Sequence, residues 1–115
     1  MEIHLYVFRG IYYDIRMLVC PEEVRILVKL DINEKVSVDV SKDNGKYFFD
    51  ILDTTGDEPI RVGIFDTYKN LRDSKFARAQ LRNEIRKYHP NDPGSSTELD
   101  RQIMQEVLKA DEIFG

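Results

Sequence analysis

One cysteine, two histidines and no tryptophan occur among the 115 residues. Cys20 alone can form neither an intrachain disulfide nor a cysteine-based zinc site. His4 and His89 are the only imidazoles. Cys20 stands beside Pro21 with no evident base, and no glycine-rich phosphate loop is present. Catalysis, metal binding and cofactor binding are therefore the classes least served, and the expectation is a protein that is not an enzyme. No apolar run approaches the ~18 residues that a membrane span needs. The opening MEIHLYVFRG has an acid at position 2 and no basic region before an apolar run, so it does not read as a signal peptide. A soluble protein in a reducing, cytoplasmic setting is expected.

Hydrophobic residues make up 42% of the chain and charged residues 33%, a composition that favours a folded domain over disorder. A chain of this length buries a core without disulfides or metals. The net charge of −4 is unevenly spread. Residues 69–89 hold seven basic side chains (Lys69, Arg72, Lys75, Arg78, Arg82, Arg86, Lys87) against Asp73 and Glu84, which makes that segment +5 and the remainder −9. A basic segment in an acidic host marks either a partner surface or a face turned toward the protein's own acids.

Period-two alternation dominates residues 1–66. In VRILVKLDI, Val24, Ile26, Val28, Leu30 and Ile32 share one face, the pattern of a half-buried strand. IYYDIRMLV repeats it, and IHLYVF is apolar on both faces. Turns are expected at Arg9-Gly10 and over Cys20–Glu23. Asn44-Gly45 within VSVDVSKDNGKYFFDIL is a strong hairpin signal, because a type I′ turn needs positive φ at both central residues. That turn predicts Val40 opposite Phe49 and Val38 opposite Ile51. It also sets Asp39 against Asp50 on the other face, where like charges repel. The two carboxylates are either an acid pair or ordinary surface groups relieved by lysines. IRVGIF supplies a last strand. Five or six mostly antiparallel strands are therefore expected before residue 66.

Beyond Phe65 the period becomes helical. Asp73 or Ser74 is placed to cap a helix starting near Lys75, with Ala77, Leu81, Ile85 and Tyr88 as its apolar stripe. Arg78, Arg82 and Arg86 form a second stripe at i, i+4, i+8. Pro90 ends the helix. Ser95 with Glu98 fits a capping box for a final helix, whose inward face holds Leu99, Ile103, Val107, Ala110 and Phe114, with Met104 and Ile113 beside it. The fold class expected is α+β: an antiparallel sheet over residues 1–66, covered by a helical hairpin over residues 67–115.

The hairpin carries LRNEIRKYHPN, then DPGSST, then MQEVLKADEIF, after an opening TYKNL turn. These residues resemble a J domain, the DnaJ-type co-chaperone module, in which a basic helix ends in Tyr-His-Pro-Asp before a loop and an apolar-spaced helix. The resemblance implies that Arg78, Arg82, Arg86, His89, Pro90 and Asn91 form a surface that docks on a DnaK-type chaperone. His89 and Pro90 would then lie in an exposed loop, and the three arginines would point to solvent. Three features depart from the family. Asn91 stands where the family has its loop aspartate, Glu84 replaces an apolar residue, and the stretch from Tyr68 to His89 is short. Without the loop carboxylate, docking or regulation is implied rather than stimulation of an ATPase.

The residues themselves leave alternatives open. Proline stops helices without any function, and a histidine at a helix C-terminus suits the macrodipole. A small acidic inhibitor or immunity-type protein, blocking a basic partner through its sheet face, fits the size and the pI near 5.2 equally well. Nucleic-acid binding through the arginine stripe meets repulsion from the acidic remainder. A protein-interaction module is the function class that the sequence supports.

Overall fold

The computed structural model describes residues 7, 8, 11, 12 and 27–114. Strands β1 (Val7–Phe8) and β2 (Ile11–Tyr12) pair antiparallel, with Val7 opposite Tyr12. Strands β3 (Leu27–Asp31), β4 (Val36–Asp43), β5 (Lys46–Asp53) and β6 (Ile60–Thr67) form a second, antiparallel sheet in that order. Helices α1 (Lys75–Tyr88), α2 (Ser96–Lys109) and the short α3 (Asp111–Phe114) follow. The α+β architecture is as expected. The strands differ in grouping: among the described residues they make one four-stranded sheet and a separate two-stranded pair. Residues 13–26, which include Val24, Ile26, the Cys20–Glu23 turn and most of the IYYDIRMLV pattern, lie outside the described residues, as do His4 and the Arg9-Gly10 turn.

Turn chemistry sets the register of the central hairpin. Asn44 and Gly45 both take positive φ, at 51° and 80°, which matches the twist of a two-residue hairpin. Val40 then faces Phe49, Val38 faces Ile51 and Asp39 faces Asp50. Val36, Val38, Val40, Phe49 and Ile51 are completely buried on the inner face. Between Ile51 and Leu52 the β5–β6 pairing shifts, so that Gly63 and Arg61 are paired while Val62 is the extra residue of a bulge.

The helices cover that face because their own stripes are apolar. Ser74 caps α1, its side chain accepting from the Ala77 amide at 3.1 Å. Ala77, Leu81 and Ile85 of α1 and Leu99, Ile103 and Val107 of α2 are completely buried. Ser95 caps α2 through the Glu98 amide, but Glu98 turns to Arg101 and Gln102 instead of closing the box. Phe114 of α3 stacks on Tyr47 of β5 with centroids 5.4 Å apart, which seats α3 in the core.

Tyr88 is the exception to the expected α1 stripe. It is 38% exposed and lies against β6 at Gly63. A methyl group in place of the Gly63 hydrogen would sit 2.5–2.7 Å from Tyr88 Cδ2, Cγ and Cβ. Glycine is required there for close approach, not for backbone conformation. Gly63→Ala should therefore destabilise the fold by about 1–3 kcal/mol, the usual cost of overpacking. In a Tyr88→Gly background, which removes Cβ, Cγ and Cδ2 together, the same change should be nearly neutral, a non-additivity that chemical denaturation of the four variants measures.

Candidate functional site

The arginine stripe of α1 does share one face, but that face meets the protein itself. Arg78 Nη1 donates to the Leu71 and Arg72 carbonyls at 2.6 and 2.8 Å, closing the turn before the helix. Arg82 Nη1 donates to both carboxylate oxygens of Asp100, at 2.9 and 3.2 Å, and so joins α1 to α2. Arg86 donates to the Gly94 carbonyl in the loop between the helices. The expectation that these side chains are unpaired is thus corrected, and Arg78 and Arg82 are half-buried, while Arg86 is exposed to solvent as expected. Their donors are used by carbonyls and an acid that only the folded chain brings near.

His89 is corrected in the same way. Its side chain is 0% exposed, because the residue after α1 turns inward onto the sheet. Nε2 lies 2.7 Å from the Lys35 carbonyl and therefore donates to it. The Asp53 carboxylate stands 3.5 Å from the same nitrogen. On the other side, Nδ1 faces the Asn91 carbonyl at 2.6 Å and the Asn91 amide at 3.2 Å. Pro90 and Asn91 are exposed as expected. Asn91 nevertheless donates through Nδ2 to Asp53 at 3.3 Å and to the Thr55 hydroxyl at 3.1 Å. The His-Pro-Asn loop is consequently tied to the start of β4 and the end of β5.

Asp53 is the anion of this cluster. The Thr55 hydroxyl and amide, at 2.6 and 2.9 Å, hold its carboxyl below the usual carboxylate range, with the charge of His89 and the Asn91 amide acting in the same direction. An open cleft of about 410 Å³ lies beside it, lined by Asn33, Glu34, Lys35, Asp92, Pro93, Gly94, Glu98 and Gln102. Several of its polar groups bond to one another. Lys35 donates to the Asp92 carbonyl, and Asn33 donates to the Pro93 carbonyl and Gln102, each at 3.0 Å. The cleft is a seam between the β3–β4 turn and the inter-helix loop. No group of three His, Cys, Asp or Glu residues placed for a metal occurs among the described residues.

On the outer sheet face Asp39 and Asp50 are opposite each other, as the hairpin register requires. Burial raises the Asp39 carboxyl above its ordinary value; Lys29 opposes this, and the negative charges of Asp50 and Asp31 add to it. Asp50 is 5% exposed with Arg61 at 3.8 Å. Asp50 is buried in the sheet and Asp39 is half-buried.

A different region is open. Seven large apolar side chains are exposed among the described residues, and five of them (Ile60, Ile64, Tyr68, Phe76 and Tyr88) lie on β6, just after it, or on α1. Ile60 and Ile64 are each 62% exposed and Tyr68 is 71% exposed. β6 is an edge strand of the four-stranded sheet among the described residues, so the outer row of its backbone amides and carbonyls has no ladder partner there. The sequence does not announce this region, because IRVGIF reads equally well as a central strand. Phe76, an apolar residue off the buried α1 stripe, is the one local signal of it.

No family model, curated protein or solved structure matches this chain, and no helix among the described residues is long and apolar enough to cross a membrane.

Two outcomes follow for the His89 cluster. His89→Ala should destabilise the fold by about 1 kcal/mol, the net worth of a typical hydrogen bond, since the Lys35 carbonyl keeps the Thr54 amide at 2.9 Å as its other donor; urea titration reads this. Asp53, with a folded-state pKa below the unfolded value of ~3.9, stabilises the fold above that value and loses the contribution as pH falls through its lower folded value. The melting temperature of Asp53→Asn should lie below the parent's at pH 7, and the gap should close below about pH 4.

Proposed function

We propose that this chain is a protein-interaction module that takes an extended polypeptide segment alongside β6, the edge strand of the four-stranded sheet among the described residues, beside the flank of α1. The observation that carries this reading is the concentration of exposed apolar side chains along that edge. An unpaired strand offers a template of main-chain donors and acceptors, and an added strand uses them for affinity while side-chain pockets give selectivity. Ile64 supplies apolar contact on the outer sheet face, and Tyr68 and Phe76 supply it where β6 passes into α1. A cytoplasmic setting agrees with a single cysteine.

Docking on a DnaK-type chaperone through Arg78, Arg82, Arg86, His89, Pro90 and Asn91 is the reading that the J-like resemblance implies. It would require a partner to compete for donors that Leu71, Arg72, Asp100 and Gly94 already hold, and to reach a histidine with no exposed side-chain surface. Blocking of a basic partner by the acidic sheet face would rest on Asp39 and Asp50, which the sheet encloses in part. The β6 edge has neither obstacle.

A fluorescent nonapeptide of alternating Thr and Val, uncharged and β-prone, tests strand addition directly. Anisotropy titration should show binding in the millimolar range, weakened at least about threefold by Ile64→Ser and by Phe76→Ser, given ~0.8 kcal/mol per CH₂ removed from contact. Arg82→Ala and Asn91→Asp should leave it unchanged. Absence of binding, or loss in the second pair of variants with none in the first, sinks the reading.

A further inference from the structure

We infer that the segment received by β6 is acidic, with two carboxylates about six residues apart held by Lys69 and Lys87 at opposite ends of the α1 flank; this rests on the strand-addition reading above. Each exposed aromatic side chain of this region has a lysine ammonium over its ring. Lys46 lies 5.1 Å from the centroid of Tyr68, Lys69 lies 4.4 Å from that of Phe76, and Lys87 lies 5.0 Å from that of Tyr88. An ammonium resting on a ring face is attracted by the ring quadrupole and keeps its outer side for an anion. Lys46 already has Asp66 at 3.6 Å. Lys69 and Lys87 have no carboxylate within ion-pair distance among the described residues.

This separates them from the arginines of the same helix. Arg78, Arg82 and Arg86 project from the flank that meets the preceding turn, α2 and the inter-helix loop, and they are bonded there. Phe76 and Lys87 project from another flank by the 3.6-residue period, and both are exposed. Positive charge without an internal partner therefore lies beside the apolar edge, and charge complementarity selects an acidic occupant.

The spacing follows from the geometry of the elements. Phe76 and Tyr88 are ~18 Å apart along the helix at 1.5 Å per residue. A strand covers that distance in about five or six residues at 3.3 Å each. An even spacing of six puts both carboxylates on the face turned toward α1, with apolar residues between them. A lysine–aromatic row also suits stacked nucleobases. Single-stranded nucleic acid, however, lacks the peptide donors and acceptors that would pair with the β6 backbone.

The test compares two nonapeptides, Thr-Glu-Thr-Val-Thr-Val-Thr-Glu-Thr and the same peptide with Gln for Glu, together with an oligouridylate. The glutamate peptide should bind roughly tenfold more tightly than the glutamine peptide in about 50 mM salt, and the advantage should shrink toward unity at about 500 mM. Lys69→Ala with Lys87→Ala should abolish the advantage and leave binding of the glutamine peptide unchanged. Lys109→Ala, at a lysine already paired with Glu106 on α2, should have no effect. Equal binding of the two peptides overturns the acidic inference and leaves strand addition standing. Binding of neither peptide overturns both. Oligouridylate binding that is lost with the two lysines overturns the inference in favour of nucleic acid. A dimer of the free protein that Ile64→Ser dissociates, seen by light scattering, overturns it in favour of a second copy.

Discussion

The contact from the buried His89 side chain, Nε2 to the Lys35 carbonyl at 2.7 Å, constrains the rest of the molecule. It fastens the end of α1 to the point where β4 begins. The direction of α1 over the sheet and the start of the loop to α2 both depend on it. Pro90 helps by ending the helix, which lets the chain turn inward instead of continuing into solvent. With α1 held, its arginine flank faces α2 and the inter-helix loop, and its other flank is left beside β6.

That division of α1 decides what the surface can do. The excess of positive charge in residues 69–89 is split between two uses. Arg78, Arg82 and Arg86 close a turn, join two helices and hold a loop. Lys69 and Lys87 stay at the surface on aromatic rings. Guanidinium groups suit the internal role because their several donors reach carbonyls and a carboxylate together, whereas an ammonium stays strongly hydrated. Identity of the cation, as much as its position, separates the structural charges from the surface ones.

Features that depend on neighbours in sequence are legible without the fold. Asn44-Gly45 announces its turn, and the turn with the period-two pattern sets Val40 against Phe49 and Asp39 against Asp50. Ser74 and Ser95 announce the helix starts, and the 3.6-residue stripes name the buried face of both long helices. Features that depend on distant partners are not legible. His89 finds its acceptor 54 residues away and Arg82 finds its acid 18 residues away, and no local pattern announces either. Tyr88 fits the stripe by spacing, yet it reaches β6 because Gly63 leaves room there. The exposure of Ile60 and Ile64 follows from strand order, which places β6 at the rim among the described strands, and strand order is a property of the whole sheet.

Amide hydrogen exchange on the free and peptide-bound protein tests the central claim, that β6 is the working edge and the His89 loop is a structural clasp. With the glutamate nonapeptide at saturation, amides of residues 60–67 should slow markedly while those of residues 89–95 keep their rates, because an added strand hydrogen-bonds the β6 backbone and does not reach the loop. Unchanged exchange across β6, with new protection confined to the loop and the arginine flank of α1, would contradict the account and return the function to the His-Pro-Asn stretch.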